Sequence, residues 1–309
     1  MHSLRSVRLP PFVLLALGVS SCLFLGCKSE PAGAPAAQAS HGYGERAYAH
    51  TAAIVAIGPR PPGSEGLDKA RGYVTAELAK HGWVAVAQVF EVATPKGPMT
   101  MTNLVARFKG ATTTPEAILC AHIDSKLMVG SEFVGADDAA SAVAAIVEIA
   151  RVLAEEPARA ARVELVFFDG EESIESNITE TDGLYGSNHY AKAWQGEVAK
   201  PRFGILLDMI GHRDLRIRIP SDSPEHLRAA LMAAAEKRGA LEHFGIARGP
   251  IIDDHVPLNR VGVPTIDVIG DFGSTSWWHT PADNLDLIDP KSLEISIGTT
   301  LEMLRSLLP

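Results

Sequence analysis

Phe167-Phe168-Asp169-Gly170-Glu171-Glu172 closes the apolar, β-prone run that begins at Val163. A short, continuously apolar run reads as a strand buried on both faces, the kind found in parallel sheets. Two adjacent carboxylates follow where that strand surfaces. Open α/β sheets bind their ligands at this end of their strands. Solvated acids need no such setting. A metal site with a general base does, because one carboxylate can bind the ion while its neighbour handles protons. A Glu-Glu pair alone is common on surfaces, so the rest of the chain has to decide.

The same signature recurs along the chain. Residues 117–121, 203–207 and 264–269 read as further buried strands, and 84–92 and 103–108 as strands of a more mixed kind. Helical spacing predicts helices over 67–81 (stopped by Gly82), 139–153, 184–194, 224–238 (with Ser223 as a possible N-cap) and 293–308. Strands alternating with helices imply an α/β fold: a mostly parallel, twisted sheet with helices on both faces.

Each buried strand delivers chemistry at its end. His122 and Asp124 follow the first, Glu171 and Glu172 the second, Asp208 the third, and Trp277, Trp278 and His279 the fourth; Asp137 and Asp138 open the helix at Ala139. In a parallel sheet those ends share one edge. Oxygen and nitrogen donors without thiolates suit a catalytic zinc with an open coordination position. Singly, each residue has a plainer reading. Asp137 or Asp138 could cap the helix, Asp208 could be a turn residue, and His122 a hydrogen-bonded core histidine. Independent accidents would not place all of them at strand ends.

The chain has 309 residues, 46% of them hydrophobic, and a formal net charge of -9. That is ample for one large core. The charge, with no basic, aromatic-interleaved stripe, argues against a nucleic-acid partner. Residues 1–26 read as an export signal: Arg5 and Arg8 lead an apolar stretch, too short to span a membrane comfortably, that ends at Gly26 before Cys27. The run Leu23-Phe24-Leu25-Gly26-Cys27 resembles a bacterial lipoprotein signal, with lipid on Cys27. The alternative is an ordinary secretory signal. The expected place is therefore the bacterial cell envelope, with the membrane reached through the lipid anchor only, or the medium if Cys27 carries no lipid. Residues 27–44 read as a disordered Pro/Ala/Gly/Ser tether, and 45–309 as a single catalytic domain. Cys120, inside an apolar strand, is expected to be a buried, inert thiol.

Seven segments, in order, resemble the glutaminyl-peptide cyclotransferases, which sit in a superfamily with two-zinc aminopeptidases. They are His122-Ile123-Asp124-Ser125-Lys126, Phe133-Val134-Gly135-Ala136-Asp137-Asp138, the stretch through Glu172, Asp182-Gly183-Leu184-Tyr185-Gly186-Ser187, Leu206-Leu207-Asp208-Met209-Ile210-Gly211, Asp253-Asp254-His255-Val256-Pro257-Leu258 and Trp278-His279-Thr280. Gly58-Pro59-Arg60-Pro61-Pro62-Gly63-Ser64 also looks like that family's N-terminal segment. The resemblance implies a zinc-aminopeptidase-like three-layer fold acting on peptide or protein N-termini. It implies one zinc ion held by Asp138, Glu172 and His279, with Glu171 as general acid/base. Asp208 and Asp254 match the aspartates beside the metal, and Trp278 a substrate-pocket aromatic. A salt bridge to Arg260 is the plainer role for Asp254. The activity implied is conversion of N-terminal glutamine to pyroglutamate with release of ammonia.

In the aminopeptidase alternative two zinc ions bind, the second to His122 and Asp208, with Asp138 bridging. A non-catalytic binding protein on the same fold is a third reading, disfavoured because every ligand type and the base are present. The chain departs from the cyclase pattern after the Glu-Glu pair. That loop normally carries a tryptophan; residues 173–181 hold none, and Asn177 stands near its place. Ala121 stands before His122, so the disulfide of the animal enzymes is absent. The segment between Phe244 and Ile252 is short, which trims one pocket loop.

Overall fold

A computed structural model describes residues 41–111, 114–273 and 275–309. The export signal over 1–26, the lipidation site Cys27 and the tether as far as residue 40 lie outside the described residues. The end of the tether reads differently from expectation. Helix α1 (Tyr43–Val55) already begins two residues before its expected end, and Tyr43 and Gly44 are buried. Gly44 is packed so closely on α8 (Pro290–Leu307) that an added Cβ would lie 1.8 Å from the Pro290 carbonyl oxygen.

The main sheet has six strands in the order β1-β2-β4-β3-β5-β8. The strands β3 (Ala117–His122), β4 (Val163–Phe168), β5 (Phe203–Asp208) and β8 (Thr265–Ile269) are parallel. Every residue of these four is buried, as their continuous apolar character requires. The other two, β1 (Trp83–Thr94) and β2 (Gly97–Phe108), form a long antiparallel hairpin, and β2 also runs antiparallel to β4. The sheet is thus mixed, with one half parallel and the other antiparallel.

Side chains alternate across this sheet with the two-residue period of a strand. Leu119, Leu165, Ile205 and Ile266 pack with α1, α3 (Ala142–Leu153) and α8 on one face. Ile118, Cys120, Val166 and Leu206 pack with α5 (Tyr185–Lys192) and α7 (His255–Arg260) on the other. Cys120 is free and buried there, and burial pushes its thiol well above the ordinary range, so it is not a nucleophile. Helix α2 (Glu65–Lys80) is capped by the Ser64 hydroxyl, which accepts from the Leu67 amide at 3.1 Å, and Gly82 follows it at φ 80°. Helix α6 (Glu225–Lys237) starts as predicted, but Pro224 holds its N-cap position and Ser223 makes no cap. A four-residue turn, α4 (Pro157–Ala160), leads into β4, and a separate two-stranded sheet joins β6 (Ile217–Ile219) to β7 (Phe244–Ile246). Among the described residues no helix is long and apolar enough to cross a membrane.

One element departs from its sequence reading in a way that matters. The helix expected from Ala139 begins only at Ala142; residues Ala136–Ser141 form a wide turn in which Asp138 is non-helical at φ -103°, ψ 88°. Neither Asp137 nor Asp138 caps the helix. Their backbone amides are instead claimed by Asp283, at 2.7 and 3.2 Å. Gly135 enters the turn at φ 51°, where an added Cβ would lie 1.8 Å from the Asp138 carbonyl oxygen. Only glycine fits.

Candidate metal centre and catalytic cavity

The four parallel strands end on a common edge, and the loops leaving them meet. From β3 comes His122, from the turn before α3 Asp138, from the loop after β4 Glu172, from the end of β5 Asp208, and from the loop after β8 His279. Ligand atoms of Asp138, Glu172 and His279 lie within 4.8 Å of one another, as do those of His122, Asp138 and Asp208. The His279 Nε2 atom stands 3.1 Å from Glu172 Oε1 and 3.4 Å from Asp138 Oδ2. The His122 Nε2 atom stands 3.1 Å from Asp138 Oδ1 and 3.4 Å from Asp208 Oδ1. Asp138 is therefore shared, one oxygen to each group.

The two adjacent glutamates have separate positions. Glu172 belongs to a ligand group and Glu171 to neither. Both are fixed through their backbones, whose amides donate to Asp124 at 3.3 Å each. Glu172 also meets Lys126, whose buried ammonium lies 3.5 Å from Oε2 and donates to the Ser173 carbonyl at 2.7 Å. Gly170, at φ 72°, makes the turn out of β4, and a Cβ there would press on Met101 Sδ at 2.6 Å. The loop that follows is pinned by Asp182, which accepts from the amides of Ile174 (2.7 Å) and Glu175 (2.9 Å) and from the Tyr185 hydroxyl (2.8 Å).

Electrostatically the centre is strongly negative. Burial raises Glu171 well above the usual carboxylate range, with Glu172 adding to the rise and His122 opposing it. Burial likewise raises Glu172, and it raises Asp208 to about 6. Burial works against protonated His279, yet Asp138 and Glu172 outweigh it and lift the imidazole to about 9. For His122 burial is again outweighed, here by Asp124, Asp138 and Asp208. Buried acids that pull protons onto both imidazoles provide the field a divalent cation requires.

A cavity of about 200 Å3 opens beside these groups, lined by Asp138, Glu171, Glu172, Asp208 and His279 and walled by Ile178, Ile251, Ile252, Phe272 and Trp278. Trp278 is 38% exposed and stacks on the His279 ring, with centroids 4.0 Å apart and planes at 24°. Phe133 meets the same imidazole edge-on at 5.8 Å. Asn177 lines the cavity where the pocket tryptophan was missed in the sequence.

One expected site residue is displaced by its neighbour. Asp253, not Asp254, lines the cavity. Asp254 is fully buried behind it, and neither of its carboxylate oxygens has a hydrogen-bond partner among the described residues. The alternative salt bridge to Arg260 does not form between these two residues; Arg260 lines a separate groove with Lys192 and His189. Asp253 stands just outside α7 and Asp254 at its N-cap, where the Asp254 amide donates to Asp253 Oδ1 at 2.5 Å. Asp283 and Arg60 also escaped the sequence reading. Arg60 is fully buried and donates to the carbonyls of Val134 (2.7 Å), Gly135 (3.2 Å) and Gly58 (3.2 Å). It thereby clamps the turn that presents Asp138. For Arg60 the motif Gly58 to Ser64 was a signal; for Asp283 there was none.

With this geometry established, comparisons with known proteins agree on a family. Residues 103–304 match the sequence profile of peptidase family M28, and the chain belongs to that family. Within it, the similar chains include the glutaminyl-peptide cyclotransferase of Drosophila melanogaster, 31% identical over 262 residues that cover 75% of this chain and 72% of the fly protein. The glutaminyl cyclase of an Acidobacteriales bacterium superposes with a TM-score of 0.77 at 31% identity, covering 89% of this chain and 98% of its own. A Zn-dependent exopeptidase from Parabacteroides distasonis follows at TM-score 0.76 and 27% identity, covering 84% and 97%. The α/β fold of the zinc aminopeptidases is thus the fold of this chain.

Proposed function

We propose that the chain is a zinc-dependent glutaminyl-peptide cyclotransferase that converts the N-terminal glutamine of peptides to pyroglutamate and releases ammonia. The observation that carries this reading is the division of labour at Glu171-Glu172: one carboxylate sits within a ligand group, while the other lines the same cavity outside it. The similarity to proteins named as cyclases supports it.

Asp138, Glu172 and His279 offer two carboxylates and one imidazole, a donor set that fits zinc with a position left open for substrate. Zinc bound there would polarise the side-chain amide carbonyl as a Lewis acid. The α-amine attacks the side-chain amide carbon, and the bond from that carbon to its nitrogen breaks. Glu171 takes a proton from the amine and returns it to the departing ammonia; its raised pKa suits both transfers. Nucleophile and electrophile belong to one residue, so the walls need only fold it correctly. Asp208 and Asp253, both on the cavity surface, hold the amine and the leaving nitrogen, while Trp278 covers the reacting residue.

The test is incubation with a Gln-initiated peptide. Ammonia released in step with loss of the free amine is expected, and release of free amino acids instead would overturn the assignment. That second outcome defines the rival reading, a two-zinc aminopeptidase, which the convergence of His122, Asp138 and Asp208 favours.

Two substitutions probe the cavity wall. Asp253→Asn is expected to lower kcat about 10²-fold or more, the smaller end of the general acid–base range, while Asp254→Asn acts mainly on stability; steady-state kinetics beside thermal melts separate them. Asn177→Trp restores an aromatic wall and is expected to lower KM for Gln-peptides about 2- to 12-fold, the worth of one aromatic contact. An unchanged KM would show that residue 177 does not meet the substrate.

We further place the protein in the bacterial cell envelope through lipid on Cys27. Incorporation of labelled palmitate that disappears in Cys27→Ser supports this; equal labelling of the variant would sink it.

A further inference from the structure

Behind the cavity wall lies a third group of donors, of which the proposed cyclisation chemistry uses only Asp253. Asp253, His255 and Asp267 each present a ligand atom, and these atoms lie within 4.8 Å of one another. Two pieces of chain bring them together: the segment that leads into α7, which carries Asp253 and His255, and the middle of β8, where Asp267 pairs with Leu206 of β5. Their exposures are 3%, 1% and 0%.

Buried polar atoms are almost always hydrogen-bonded. Here they are not. Both ring nitrogens of His255, both carboxylate oxygens of Asp267 and Oδ2 of Asp253 have no hydrogen-bond partner among the described residues. The approach of His255 Nδ1 to Asp267 Oδ2 is 3.6 Å, too long for a hydrogen bond. Asp254, next in the chain, is fully buried with both oxygens in the same condition. Asp267 therefore lies among Asp253, Asp254, Asp208 and Asp222, with His255 Nδ1 3.6 Å away and no lysine or arginine paired with it among the described residues.

Neutral imidazole is the form that ligates metals, and both ring nitrogens of His255 are without a hydrogen-bond partner among the described residues. Two carboxylates and one neutral imidazole, dry and mutually within reach, are a nitrogen–oxygen donor set suited to a divalent ion of the zinc class.

We propose that Asp253, His255 and Asp267 form a buried cation site for such an ion, distinct from the centre at Asp138, Glu172 and His279 and from the group of His122, Asp138 and Asp208. Bound there, the ion offsets the acids packed behind the wall. It also fixes the carboxylate of Asp253, the one residue common to the cavity surface and this cluster.

The test is zinc content per chain, measured by plasma mass spectrometry on full-length protein purified with zinc and freed of loosely held metal. His255→Ala is expected to lose one equivalent relative to wild type and to keep the equivalent that His279→Ala loses. His122→Ala is expected to keep the ion that His255→Ala loses. If His255→Ala holds as much zinc as wild type, the proposal fails and the carboxyl groups share protons instead. It fails equally if the extra ion leaves with His122, because the ion then belongs to the aminopeptidase-type pair. Should His255→Ala not fold, anomalous scattering from wild-type crystals at the zinc edge decides: a peak among Asp253, His255 and Asp267 supports the site, and its absence overturns it. Ammonia release is a separate readout, so the proposed activity stands or falls independently.

Discussion

Glu171→Gln is expected to lower kcat about 10²- to 10⁴-fold, the usual contribution of a positioned acid–base group. Zinc content is expected to stay at the wild-type value. The reasoning is geometric. Glu171 lies outside both ligand groups at the strand ends, yet it lines the cavity they share. Its backbone amide is held by Asp124, and its carbonyl accepts from the Leu184 amide at 2.8 Å, so the isosteric amide can occupy the same place. What glutamine cannot do is accept a proton from the attacking amine. Ammonia release and metal analysis on one preparation check both halves. Loss of zinc together with activity would mean that Glu171 is a ligand and that the roles of the pair are misread. Glu172→Gln is the natural contrast: it weakens metal binding as well as turnover, because Glu172 is 3.1 Å from His279 and part of the ligand group.

The largest effect on stability is expected at a residue that touches no substrate. Arg60→Leu removes a guanidinium that donates to three carbonyls across two segments. Burial lowers Arg60 to about 10, so it remains charged at neutral pH. Three acids oppose that lowering, Asp283, Asp124 and Asp138. Leucine would leave the carbonyls unpaired in a dry interior and the acids without their cation. Removing one partner of a buried charged group costs about 3–5 kcal/mol. The urea midpoint is expected to fall accordingly at unchanged slope, and zinc affinity to fall with it, since the carbonyls of Val134 and Gly135 lead into the turn that presents Asp138. Arg60→Lys keeps the charge but not the fork, and is expected to lie between the two. A midpoint unmoved by leucine would show that the clamp is dispensable.

The parts legible in the sequence were those with a strong local signal. The four parallel strands are continuous apolar runs because both their faces are covered, and each announced itself. The residues at their ends could then be placed on one edge by topology, while the grouping of Asp138, Glu172 and His279, whose ligand atoms do meet, was implied by the family resemblance. Helix α1 was not predicted at all, and its first residues share the composition of the tether before them. Residues 139–141, the end of the wide turn, were read as helix because an apolar, alanine-rich segment follows without a break; the non-helical backbone at Asp138 has no sequence mark of its own. Asp253 and Asp254 are adjacent acids before a six-residue helix, too short for periodicity to say which one faces inward. Asp283 is brought to Asp137 and Asp138 across 145 residues or more of chain, and only the folded loop reveals the pairing.

His279 adopts φ 52°, a left-handed conformation in which a side chain bearing a Cβ is disfavoured. Glycine would sit there at ease, yet glycine cannot ligate. Trp278, stacked on one side, and Phe133, meeting the ring edge-on, hold the imidazole in place on this disfavoured backbone. Under the function proposed above, His279→Gly, the change that most relaxes this backbone, is also the one that removes a proposed metal ligand.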